Sequence, residues 1–353
     1  MKLNEEQERV VNATENKIVV IASSGSGKTV CLVERAKRLL NEENDPSKIV
    51  LLTYTNAAAS EIKQRIGDYK NMFIGTIHSY ANFLLVKNGI NTEEEIKNKN
   101  YDKLFTKVLS NPDVIQEVNH LLLDEAQDSS PIQYDFILNV IKPKNWFMVG
   151  DYRQVIYEFN KVDPYMLLNL SKSPGVTKYE LIHNYRTSQK ILKKAKNTIA
   201  MLGYEYYDNS IGVRTEEGRI IEVQYNINAI ARDIPKCGEF KDWFILCRTN
   251  SQVNNVINGL KQHNIPCDTF KRAELDSDEF LERMATNTVK VLTSHSAKGL
   301  ENKYVIVVGA LWHTDEEVRL NYVSITRAKD MVVWTVEQPN KKRYREKIMV
   351  SDF

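Results

Sequence analysis

Eight residues near the start of the chain, Ala22-Ser23-Ser24-Gly25-Ser26-Gly27-Lys28-Thr29, combine small side chains with a lysine and a hydroxyl in an order that suits a phosphate group. Small residues let backbone N–H groups wrap an anion, and a helix beginning at such a loop adds positive potential at its N-terminus. Lys28 is then placed to reach the β- and γ-phosphates of ATP, and the Thr29 hydroxyl to ligate Mg²⁺. Ala22 stands where the general pattern has its first glycine. Further on, Leu121-Leu122-Leu123 runs into Asp124-Glu125, which puts two carboxylates at the C-terminal end of a strand. Asp124 suits Mg²⁺ coordination and Glu125 suits polarising an attacking water. A lone Asp-Glu pair would read as a solvated turn; behind a phosphate loop it reads as the other half of a hydrolytic site.

Such a loop needs a strand before it and a helix after it, and the pattern supplies both. Short apolar runs predict strands at Lys17–Ala22, Ile49–Thr53, Met72–Gly75, His120–Leu123 and Trp146–Val149. A second series follows at Arg219–Val223, Trp243–Cys247, Val289–Thr293, Tyr304–Val308 and Met331–Thr335. Helix-period segments lie between them, among them Asn56–Ile66, Ser188–Met201, Gln252–Gln262 and Glu316–Ala328. This alternation predicts an α/β fold with parallel sheets. The Ser, Pro and Gly in Ser171–Val176 suggest a hinge, dividing the chain into domains 1–176 and 177–353. Asn88–Asn100 and Lys271–Asn287 look looser.

The chain has 353 residues, 42% hydrophobic and 27% charged, with 14 Gly and 9 Pro. That excludes disordered, collagenous and low-complexity classes and fits about two domains. A net charge of +2 leaves nucleic acid to be held by local clusters. The opening residues lack the apolar core of a secretory signal, and no apolar run approaches the ~18 residues of a membrane span. Cys31, Cys237, Cys247 and Cys267 lack metal-ligand spacing and read as reduced thiols of a cytoplasmic protein.

With those motifs in view, the chain resembles the superfamily 1A DNA helicases of the UvrD, Rep and PcrA type, from residue 3 to about residue 334. The resemblance implies two RecA-like P-loop domains with the ATP cleft between them. Leu3-Asn4-Glu5-Glu6-Gln7 is similar to the Q motif, whose glutamine reads adenine; Asn4 and Gln7 also have the spacing of a helix capping box, and both readings stand. Thr53-Tyr54-Thr55-Asn56 resembles motif Ia and Gly75-Thr76-Ile77-His78-Ser79 the segment after it, which implies that Tyr54 and His78 line a single-strand path. Val149-Gly150-Asp151-Tyr152-Arg153-Gln154 is similar to motif III, where the glutamine senses the γ-phosphate. Tyr157 and Phe159 follow, where relatives place base-stacking aromatics; core packing is the other reading of that pair.

His183-Asn184-Tyr185-Arg186-Thr187-Ser188 resembles motif IV, which implies that Tyr185 stacks on adenine and Arg186 reaches the γ-phosphate. Thr293 to Glu301 is close to motif V, with His295 toward DNA and Glu301 toward the ribose, and Glu316 to Ala328 is close to motif VI, with Arg327 as a second arginine finger. The implied activity is Mg²⁺- and ATP-dependent movement on single-stranded DNA, 3′ to 5′, in the cytoplasm of a bacterial or virus-infected bacterial cell. The alternative is an ATP-controlled switch or loader that serves a separate nuclease or replication or repair protein. A small-molecule kinase would share Lys28 but have no use for Arg327. Val30, where relatives carry Arg, and Asn160-Lys161-Val162, where they carry Arg-Gly-Ala, depart from the family pattern. So do the short intervals at about 82–118 and 271–288, where relatives insert subdomains. The basic run Lys341-Lys342-Arg343-Tyr344-Arg345 reads as a solvated helix face.

Overall fold

The run Lys17-Ile18-Val19-Val20-Ile21-Ala22 is apolar without alternation and rich in β-branched residues, which suits a strand covered on both faces. It forms β1 (Lys17–Ala22), with every residue after Lys17 buried. The computed structural model describes residues 2–42, 45–67, 71–114, 116–270 and 278–336 and separates the chain into two units, Met1–Ile182 and His183–Phe353.

In the first unit β1 is joined by β2 (Ile49–Thr53), β3 (Phe73–Thr76), β4 (His120–Leu123), β5 (Asn145–Gly150) and β6 (Thr177–Leu181). Their order is β3-β2-β4-β5-β1-β6, with every neighbouring pair parallel. Parallel neighbours need crossovers. These carry α2 (Lys28–Glu42), α3 (Asn56–Ile66), α4 (Ile77–Lys87), α5 (Glu93–Lys97), α6 (Asp102–Leu109), α7 (Pro131–Asp135) and α8 (Met166–Ser171). The helix that opens the chain, α1 (Glu5–Asn12), is held by buried Arg35 of α2, which donates to the carbonyls of Val10, Val11 and Ala13.

In this unit one strand escaped the sequence pattern. In β6, exposed Lys178 and Glu180 alternate with more buried neighbours, so it has no apolar run. It nonetheless pairs with β1 from Ile18↔Thr177 to Ala22↔Leu181. Ser171–Val176 therefore joins α8 to β6 within one unit, and the division falls after residue 182, not after 176. The interval at 82–118 is a small helical layer rather than loose chain: α4 and α6 pack together, with Leu84, Leu104, Phe105 and Val108 buried.

The second unit begins with a short parallel pair, β7 (His183–Asn184) and β8 (Ile211–Gly212). Its main sheet contains β9 (Arg219–Gln224), β10 (Trp243–Cys247), β11 (Cys267–Asp268), β12 (Val289–Thr293), β13 (Asn302–Val308) and β14 (Ala328–Val336). The order is β11-β12-β10-β13-β14-β9, again parallel throughout. The helices are α9 (Gln189–Ala200), α10 (Ile227–Asp233), α11 (Asn250–Gln262), α12 (Asp278–Ala285) and α13 (Asp315–Ile325). Residues 271–277 and the basic run from Lys341 to Arg345 lie outside the described residues. Among the described residues no helix is long and apolar enough to cross a membrane.

Candidate active site

In an open parallel sheet, ligands sit beyond the carboxyl ends of the strands. The phosphate loop follows β1, Asp124-Glu125 follows β4 and Asp151 follows β5, and the sheet places β4, β5 and β1 side by side. Three segments far apart in sequence thus share one edge.

The loop turns through left-handed backbone at Gly25 and Gly27 (φ 71° and 88°), and Lys28 opens α2. Ser23 N–H donates to Leu181 O at 3.2 Å, so the late strand β6 steadies the loop. The Ser26 hydroxyl donates to Ser23 O at 2.7 Å. Gly27 is needed for a second reason: a Cβ there would stand 2.6 Å from the amide nitrogen of Gln7. Buried Gln7 closes a capping box with Asn4, and its Nε2 also donates to Ser26 O at 3.0 Å. Gln7 is thus both a helix cap and a prop beneath the loop.

Lys28 Nζ lies 3.2 Å from Glu125 Oε2, and the Gln127 amide donates to that same oxygen at 2.6 Å. Glu125 holds left-handed backbone (φ 46°), a conformation that costs a non-glycine residue about 1–3 kcal/mol and gathers at functional sites. Behind it Asp124 is buried. Burial, then repulsion from Glu125, pushes its carboxyl up to about 7 against the pull of Lys28. A carboxylate under that pressure is one that a hard divalent cation would relieve. Among the described residues no three His, Cys, Asp or Glu side chains converge as a metal cage. Asp124, with the half-buried Thr29 hydroxyl as a second ligand, could hold a cation that keeps phosphate and water oxygens.

A buried chain of hydrogen bonds extends from Glu125. Gln127 Oε1 accepts from Asp151 N at 2.9 Å, an approach that needs Gly150, where a Cβ would meet that oxygen at 2.3 Å. The Asp151 carboxylate accepts from Arg153 Nε at 2.7 Å and from Gln154 Nε2 at 2.8 Å. Arg153 Nη2 then donates to the Ser23 hydroxyl at 3.0 Å. Gln154 is therefore tied, through Asp151, to both the carboxylate pair and the phosphate loop. Sequence reasoning picked out Gln154 but missed Gln127, Asp151 and Arg153 as its supports. The signal was a buried-type Asp beside an Arg within the same motif.

The aromatic candidates separate. Tyr157 is buried and stacks on Tyr54, with ring centroids 5.3 Å apart and planes 14° from parallel. Phe159, set edge-on to Tyr157, is 64% exposed. Packing covers the first ring, whereas the second stands largely in solvent. His78 lies against Tyr101 and Phe105 of the small helical layer, with its Nε2 3.3 Å from Gln133 Nε2.

In the second unit Glu301 is gripped by two cations: Arg186 Nε pairs with one carboxylate oxygen, and Lys329 Nζ is 2.8 Å from the other. Burial works to raise its pKa, but Arg186 and then Lys329 hold it below the usual carboxylate value. Tyr185 is exposed beside Arg186, and His295 is half-buried on the turn after β12. Arg327 points inward, 2% exposed, donating to Val323 O, Leu300 O and the Thr326 hydroxyl at 3.0, 3.2 and 3.1 Å. Its guanidinium therefore has a structural task at the end of α13, whatever it does for a nucleotide.

Two family models match this chain. The UvrD/REP helicase N-terminal domain covers residues 3–111 and 99–175, and the UvrD-like helicase C-terminal domain covers 270–338. A probable DNA helicase of Mycoplasma pneumoniae is 23% identical, over 94% of this chain and 82% of its own length. The ATP-dependent DNA helicase Rep of Buchnera aphidicola is 24% identical, over 78% of this chain and 59% of its own. A putative ATP-dependent DNA helicase of Acanthamoeba polyphaga mimivirus is 27% identical, over 93% and 52%. The chain thus spans little more than half the length of the last two.

Proposed function

This chain belongs to the UvrD/REP helicase family, and on that premise we propose that it hydrolyses ATP with Mg²⁺ to move along single-stranded DNA. The observation that carries the reading is the meeting of Lys28, at the head of α2, with Glu125, beside buried Asp124. An arriving γ-phosphate competes with Glu125 for the Lys28 ammonium. Once Lys28 turns to phosphate, the Glu125 carboxylate is free to orient a water and take its proton. Gln154, held by Asp151, stands ready to sense that phosphate. Asp124 and Thr29 would hold the Mg²⁺, whose chemistry when bound is to neutralise charge across the β- and γ-oxygens. By the family resemblance Arg186 would supply a cation for the charge that develops on transfer, leaving Glu301 to Lys329 and the ribose.

The grip on DNA would be through phosphates and base faces, weak in sequence preference and strongly dependent on salt. The short helical layer at 82–118 offers little to hold a duplex junction. Opening a base-pair step costs on average ~1.4 kcal/mol of stacking, so a weakly held fork recloses. The test is the ATPase rate with and without single-stranded DNA, beside displacement of tailed duplexes of either polarity. The expected result is DNA-stimulated turnover, displacement from a 3′ tail only, and a yield that falls steeply with duplex length unless several copies or a partner protein assist. Turnover indifferent to DNA would end the translocase reading and leave a plain ATPase.

A further inference from the structure

Arg186 sits on a short loop whose shape and attachment come from different residues. Its shape comes from Asn184, fully buried, whose side-chain oxygen accepts from the backbone N–H groups of Arg186 and Thr187 at 3.0 and 2.8 Å. Its attachment to β14 comes from Ser188 N–H, which donates to Lys329 O at 3.0 Å, and from Arg214. The guanidinium of Arg214 donates through Nη1 to Arg186 O at 3.0 Å and to Lys329 O at 3.2 Å, and through Nη2 to the Asp330 carboxylate at 2.8 Å. Arg214 therefore spans the backbones of the two residues whose side chains grip Glu301.

Arg214 is itself well fixed. It follows β8, which pairs with β7, and Val213 N–H donates to Asn184 O at 2.9 Å. The Gln189 amide at the start of α9 holds the carbonyls of Gly212 and Arg214. A guanidinium serves two carbonyls and a carboxylate in a fixed planar fork, whereas a lysine ammonium is a point charge on a flexible stem. Residue 214 lies between the two stretches that match family models.

We propose that Arg214 is a positioning residue for ATP hydrolysis, fixing the Arg186 backbone against β14 so that the Arg186 side chain is presented in one orientation. The inference rests on the reading of Arg186 given above. Misplacement of a reacting group by about 1 Å can cost 10²-fold in rate, whereas nucleotide affinity rests on the phosphate loop.

The test uses the full chain with saturating single-stranded DNA and compares Arg186→Ala, Arg214→Ala, Arg214→Lys and the double variant Arg186→Ala/Arg214→Ala. The readouts are kcat, KM for ATP and the thermal midpoint. We expect Arg214→Ala to lower kcat by about 10²-fold with KM little changed, and Arg214→Lys, which keeps the charge and part of the bonding, to recover some of the loss. The double variant should turn over no more slowly than Arg186→Ala alone, because a residue acting through Arg186 has nothing left to act on. Multiplicative losses in the double variant, or an Arg214→Ala rate near wild type beside a deep Arg186→Ala defect, would overturn the proposal and leave Arg214 a fold staple. If Arg214→Ala does not fold, the Arg214→Lys pair of single and double variants decides by the same comparison. An Arg186→Ala rate equal to wild type would remove the underlying reading of Arg186, and this inference with it.

Discussion

Lys28 Nζ and Glu125 Oε2 lie 3.2 Å apart, so the cation of the phosphate loop and the carboxylate at the end of β4 neutralise each other across 97 residues of sequence. Each is therefore the other's natural competitor for phosphate and water. Lys28→Ala should abolish nucleotide binding or turnover. Glu125→Gln keeps an oxygen for Lys28 and Gln127 but cannot take a proton, so it should bind ATP and fail to hydrolyse it. Nucleotide binding and phosphate release, measured side by side, check this; wild-type turnover in Glu125→Gln would remove that residue from its role.

The Arg153–Asp151 pair is almost wholly excluded from water, and it couples Gln154 to Ser23. Removing one member of such a pair leaves a buried charge uncompensated and costs about 3–5 kcal/mol. Arg153→Ala should thus lower the denaturation midpoint clearly. At temperatures where it stays folded, its turnover should fall more than its nucleotide affinity. Equal stability to wild type would mean that the pair is not buried as described.

Tyr157 and Phe159 should part company on substitution. Phe159→Ala removes an exposed ring and should leave stability and basal ATPase nearly unchanged while weakening stimulation by single-stranded DNA; one base–aromatic stack is worth about 1–3 kcal/mol. Tyr157→Ala opens a cavity against Tyr54 and should destabilise the first unit by about 3 kcal/mol, in the range for large core aromatics. If Phe159→Ala instead loses basal and stimulated rates alike, the ring is not a base platform.

His78 supplies a pH dependence. Gln133 Nε2 can only donate, so His78 Nε2 accepts and the imidazole is neutral. Burial lowers its pKa below the ordinary 6.5, with Asp102 pulling the other way. The unfolded chain therefore binds the proton more readily than the folded one. The stabilisation is complete above about 6.5 and is lost as pH falls through that value toward the depressed one. His78→Phe keeps the packing against Tyr101 and Phe105 and removes the titration. Thermal midpoints followed from about pH 8 to 5 should fall less steeply in His78→Phe than in wild type; parallel curves would assign the acid sensitivity elsewhere.

Much of this molecule was legible in its sequence because the relevant signals are local. Strands buried on both faces, such as Lys17–Ala22, Ile49–Thr53 and Trp243–Cys247, must read as apolar runs, and they appear with the bounds their composition announces. The phosphate loop is equally local, since small residues, Lys28 and Thr29 have to be consecutive to wrap an anion at a helix start. What the tertiary structure alone decided involves partners far apart in the chain. β6 carries an edge strand's alternation and is recognisable as a strand only beside β1. Nothing in the spacing of Tyr157 and Phe159 says which ring will be covered, because burial depends on the arrival of Tyr54. Arg153 meets Ser23 across 130 residues, Arg214 meets Lys329 across 115, and Arg327 meets Leu300 across 27. A charged side chain's task is set by the acceptor that the fold brings within about 3 Å, and that acceptor is chosen by packing rather than by the neighbours in sequence.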